Sequence, residues 1–67
     1  MLYQLEFFTI EGDERQPLDQ MPQEAESIGQ ARQRARAAMK YVKIRDREPR
    51  LCEVKDQKGH VLSVVMR

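Results

Sequence analysis

Only one stretch of this 67-residue chain has the period of a helix, and any fold has to be built around it. At about 100° per residue, Ile28, Ala31, Ala35, Ala38, Met39 and Val42 fall on one stripe roughly 100° wide, the width of a helix laid against a core. Ser27-Ile28-Gly29-Gln30 opens it as a capping box, with the Ser27 hydroxyl accepting from the Gln30 amide and the Gln30 side chain returning to Ser27. The pattern predicts a helix over residues 27–45. Glu48-Pro49 bars its continuation, because a residue before proline is pushed toward extended geometry. Three of the stripe residues are alanine, so the helix can approach its support closely.

The flanking segments read as strands and a loop. Residues 2–10 alternate, with Tyr3, Leu5, Phe7 and Thr9 set against Gln4 and Glu6, and predict a first strand. Residues 11–26 contain Pro17 and Pro22 and show no period, which predicts a loop. Residues 50–55 and 61–66 predict two strands joined by Asp56-Gln57-Lys58-Gly59, the pattern of a type I turn followed by a residue at positive φ. With Asp56 facing His60, Val54 meets Leu62, Cys52 meets Val64 and Arg50 meets Met66 on the side expected to receive the helix. On the other side Lys55 meets Val61, Glu53 meets Ser63 and Leu51 meets Val65. The expected fold is a single α+β domain of order β-α-β-β: a three-stranded sheet with a C-terminal hairpin and one amphipathic helix packed on one face.

That order resembles a group of short uncharacterised bacterial domains that combine a strand, an acidic loop, an alanine- and arginine-rich helix and a closing hairpin. The matching residues are Ser27-Ile28 with Ala31, Ala35 and Ala38, and Val54-x-Asp56-x-x-Gly59-x-Val61-Leu62. The resemblance implies a fold and no chemistry.

A domain this small buries only about 60% of the surface its unfolded chain exposes, so external support is worth seeking. One cysteine, Cys52, excludes an internal disulfide, and one cysteine with one histidine cannot supply the four ligands of a structural zinc site unaided. Self-association is the remaining route. No apolar run approaches the ~20 residues of a membrane span, and the start of the chain lacks the basic and apolar regions of a secretory signal. A cytoplasmic location is expected.

Charge is sorted along the chain although the total is only +1. Residues 1–26 carry seven acids against Arg15 alone, and residues 27–50 carry eight bases against Asp46 and Glu48. Arg32, Arg36, Lys40 and Lys43 lie along one side of the predicted helix, about one turn apart, where they can meet successive phosphates of a nucleic acid. A pI near 7.9 and the lack of interleaved aromatic residues argue against that use. A solvated or internally paired face is the plainer reading.

Glu11, Asp13 and Glu14 offer oxygens to a hard cation, but the calcium-loop spacing is absent and Arg15 adjoins them. Cys52 belongs on the predicted core face and His60 beside the turn, which leaves no nucleophile and base together. No catalytic residue, metal, cofactor or small-molecule substrate is expected. Alternation sends Phe8, Ile10, Leu51, Val61 and Val65 to the face away from the helix, a candidate protein interface. The expectation is a non-enzymatic interaction module that binds itself as a homodimer, or another protein, through this face or a strand edge. Nucleic-acid binding by the basic side of the helix is the alternative.

Overall fold

The alternating run Leu2–Glu11 forms β1, with Tyr3, Leu5, Phe7 and Thr9 turned into the core. The computed structural model describes every residue except Val42 and Arg45. After β1 the chain reverses at Gly12-Asp13, where Gly12 takes a φ of 61°, a left-handed conformation that costs glycine little. It returns as β2, Glu14–Glu24, paired antiparallel with β1 along its length. The expected loop over residues 11–26 is therefore mostly a strand, and the sheet has four strands where three were expected.

The prolines that disguised β2 are explained by its position. Proline cannot donate to a ladder, so it is confined to edge strands and bulges. Pro17 and Pro22 are an odd number of residues apart and in a regular strand would point their nitrogens to opposite sides. The register shifts at Leu18, so Pro22 pairs with Gln4 and Pro17 with Phe8, two β1 residues of the same parity. Both prolines thus turn away from β1 toward the open edge. The same bulge drops Leu18 into the core.

The helix α1 spans Ile28–Tyr41. The Gln30 amide donates to Ser27 Oγ at 3.2 Å, whereas the Gln30 side chain accepts from the Glu26 amide at 2.7 Å, one residue earlier than a capping box requires. Ala31, Ala35 and Met39 are buried. The helix ends at Tyr41, so Lys43 and Ile44 of the expected stretch lie beyond it, while Val42 of the predicted stripe and Arg45 at the expected end lie outside the described residues. Beyond it Ile44 and Arg47 form an isolated bridge around Asp46, whose φ is 60°.

β3, Leu51–Lys55, pairs with β1, and β4, Val61–Met66, pairs with β3. The sheet order is β2-β1-β3-β4, antiparallel throughout, with α1 lying over β3, β4 and part of β1. Tyr3, Leu5, Phe7, Cys52, Val54 and Val65 meet Ala31, Ala35 and Met39 in one core. Among the described residues no helix is long and apolar enough to cross a membrane. The β-α-β-β order on which the bacterial resemblance rests has one strand fewer than this sheet.

Candidate functional site

The final hairpin decides which residues face outward, and it differs from the expected register by one residue. Gly59, at φ 89°, closes the turn, and Lys55 pairs with Val61. A bulge then leaves Leu62 unpaired, so Val54 meets Ser63, Cys52 meets Val65 and Leu51 meets Met66. A one-residue slip sends every later side chain to the other face. Val65, expected on the outer face, is fully buried beneath α1 and cannot serve an interface. Val64 and Met66 take the outer positions and are exposed.

The outer face is not a continuous apolar patch. Across one end runs a row of Pro17, Phe8, Leu51 and Met66, one from each strand, with the Arg15 guanidinium 5.9 Å from the centre of the Phe8 ring. Within it Leu51 is only 2% exposed, so this proposed interface residue offers almost no surface. Ile10 and Val61 are exposed but belong to opposite ends of the sheet.

Between them lies a charged network. Glu6 and Glu53 stand directly opposite each other on β1 and β3, an arrangement that destabilises a sheet unless compensated. Lys55 pairs with Glu6 and lies 3.7 Å from Glu53, while Arg15 reaches Glu53 at 3.0 Å. The hydrogen bond from Lys55 to Glu6 and both nearby carboxylates hold the lysine above its usual pKa against the opposing effect of desolvation. This half-buried network would have to be desolvated by any partner docking flat on the face.

The basic residues have a clear direction. Arg32 donates to Ser63 Oγ on β4, and Lys40 and Lys43 line a small cavity of about 100 Å³ with Met39, Glu48 and Arg67 just past the end of β4. The basic side of α1 therefore runs alongside β4, from Ser63 to Arg67. Lys43 lies beyond the last helical residue but continues the row. Among the described residues none of Arg32, Arg36, Lys40 and Lys43 has a carboxylate within ion-pair distance, whereas Arg15, Arg47, Lys55 and Arg67 do. The opposite flank of α1, with Gln30 and Arg34, looks toward Gln23 and Glu24 near the end of β2.

The remaining candidates are separated or occupied. Glu11 pairs with Arg47, and no three potential metal ligands converge among the described residues. Cys52 is buried; desolvation, reinforced by the Glu53 charge, pushes its thiol up to about 12, so it stays protonated. His60 sits in the exposed turn, 3.2 Å from Asp56. An apolar groove of about 280 Å³ separates α1 from β2, lined by Phe7, Asp19, Met21, Ala38 and Ile44.

The two sheet edges are unlike. β2 carries Pro17, Pro22 and the acids Glu14, Asp19 and Glu24, the devices that discourage further pairing. β4 has the sequence Val-Leu-Ser-Val-Val-Met and none of them. The Arg67 amide donates to Arg50 O on the β3 side, so alternation directs Ser63 and Val65 inward and turns the N–H and C=O groups of Val64 and Met66 to the open edge. Val64 and Met66 are absent from the expected site. A run of six residues without charge or proline, Val61–Met66, in a chain that is a third charged, was the signal for them. Comparison with known proteins finds no matching family, no matching curated protein and no matching solved structure.

Proposed function

We propose that this domain is a non-enzymatic interaction module whose binding element is the open edge of β4, which takes up an extended segment of a partner polypeptide as a fifth strand. The observation that carries this reading is the contrast between a guarded β2 edge and a β4 edge with neither proline nor charge. Strand addition uses backbone groups that are already aligned, and it leaves the charged centre of the outer face undisturbed. The protonated, buried Cys52 and the separate position of His60 fit a module that does no covalent chemistry, and a free thiol fits a reducing cytoplasm.

Amide hydrogen exchange tests the reading. Peptides selected from a random library against the folded domain should protect the Val64 and Met66 amides, which exchange rapidly in the free protein. Ligands that leave both amides unprotected would place the site elsewhere on the domain and overturn it.

Self-association is the second reading. Two β4 edges related by a two-fold axis would form an eight-stranded sheet, and the exposed apolar Val64 and Met66 favour it. It also brings the two unpaired basic rows face to face, and that repulsion ranks it below a foreign strand.

A further inference from the structure

We infer that the segment received by β4 is acidic, with glutamate or aspartate at every second residue and apolar residues between them; this rests on the strand-addition reading and specifies its partner. The argument is one of registry. A strand added beside β4 places alternate side chains on the two faces of the sheet. Those level with Ser63 and Val65 emerge on the helix side, beneath the outer flank of α1. Those level with Val64 and Met66 emerge on the outer face, beside two exposed apolar side chains.

Arg32, Arg36, Lys40 and Lys43, none with a carboxylate at ion-pair distance among the described residues, stand on the helix side, with Lys40 Nζ 5.5 Å from the centre of the Tyr41 ring. Arg32 already touches Ser63 at the middle of β4, and Lys40 and Lys43 share a cavity with Arg67 just past its end, so helix and strand run alongside one another over this length. Residues four apart on a helix are separated by about 6 Å along its axis, and alternate residues of a strand by about 6.6–6.8 Å. Arg32, Arg36 and Lys40 therefore keep step with successive helix-side residues of an added strand. Carboxylates at those positions meet one cation each. Among the described residues Glu48 is the acid lining that end, and Arg67 already holds it at 3.1 Å. A basic or neutral segment would leave the row uncompensated, and a second copy of β4 would bring only Ser63 and Val65 to it.

The test uses fluorescent ten-residue probes that alternate valine with glutamate, glutamine or lysine, titrated into the intact domain at low and high salt. The Val-Glu probe should bind and protect the Val64 and Met66 amides, the Val-Gln probe should bind more weakly, and the Val-Lys probe should not bind. Replacing Arg32, Arg36, Lys40 and Lys43 together by glutamine should weaken the Val-Glu probe roughly tenfold or more, the combined effect of several exposed ion pairs, and added salt should do the same to the parent protein. Val64→Pro, which removes an outward amide and no hydrogen bond to β3, should abolish binding of every probe.

Equal binding of the three probes, with Val64 and Met66 protected, would overturn the acidic partner and leave strand addition standing. Binding of Val-Glu that leaves those amides unprotected and survives Val64→Pro would overturn both. A single-stranded oligonucleotide that displaces the Val-Glu probe and binds the Val64→Pro variant undiminished would assign the basic row to nucleic acid instead. Absence of binding by Val-Glu at low salt would also reject the inference.

Discussion

Val64 and Val65 are neighbours with opposite fates, because the unpaired Leu62 reverses the register of the hairpin. A lysine in place of Val65 would enter the core without a partner and beside the basic row, a change that costs about 3–5 kcal/mol or more. A domain of this length has roughly 3–10 kcal/mol of stability in total, so Val65→Lys should lose much or all of it. Val64→Lys lies on the outer face opposite Glu53 and should stay within about 0.5 kcal/mol of the parent. Circular dichroism and urea unfolding of the two variants read the register directly, and equal stability would contradict it. Asp56 offers a second test. Its Oδ1 accepts from the His60 amide and the Lys58 amide, both at 2.9 Å, and these bonds lower its pKa below the ordinary 3.8. A carboxylate whose folded pKa is depressed contributes stability above its unfolded pKa and loses it as pH falls through the folded value. Asp56→Asn keeps an acceptor oxygen and cannot titrate. The gap between the urea midpoints of parent and variant should therefore be widest near neutral pH and close below the carboxylate range. A gap that stays constant would show that this turn carries no pH-dependent stability.

At the scale of elements, the two edges are the informative comparison. The local period of the helix and the alternation of β1 were legible because both depend on residues a few positions apart. β2 was not, since two prolines count against a strand until it is known to lie at an edge with a bulge at Leu18. If those prolines guard the edge, replacing both by threonine should leave the fold intact and expose a second pairing edge. An open β2 of one molecule could then meet β4 of the next, a head-to-tail contact that does not close. Light scattering should rise with time in Pro17→Thr/Pro22→Thr and remain flat in the parent. A variant as soluble as the parent would remove the prolines from any guarding role. The length of the helix was overestimated for a related reason. The pattern continues past Tyr41, but the chain turns back between Ile44 and Arg47, which bond to each other through their backbones. Glu11 adds an ion pair to Arg47 that no local pattern signals.

The sorted charges become a spatial arrangement: acids dominate the β2 edge, and bases with no ion pair among the described residues flank the β4 edge. This polarity makes salt a means of separating the two partners open to β4. Ion pairs with an acidic segment weaken as salt rises, whereas contact between two basic rows becomes less unfavourable. Sedimentation of the purified domain should show a monomer at low salt, with any dimer appearing only at high salt and disappearing in Val64→Pro. A dimer that is strongest at low salt would reverse the ranking of the two partners. The sequence by itself determined that the chain is a small α+β domain with one helix, which side of that helix is apolar and which basic, and that the first strand alternates. These properties follow from the short-range periods of helix and strand. Tertiary structure alone decided that four strands form the sheet, that Val65 is inside and Val64 outside, and that the basic row runs beside the β4 edge. Bulges, edge positions and cross-strand ion pairs depend on which distant segments become neighbours, and a single residue of slip reverses every side chain that follows it.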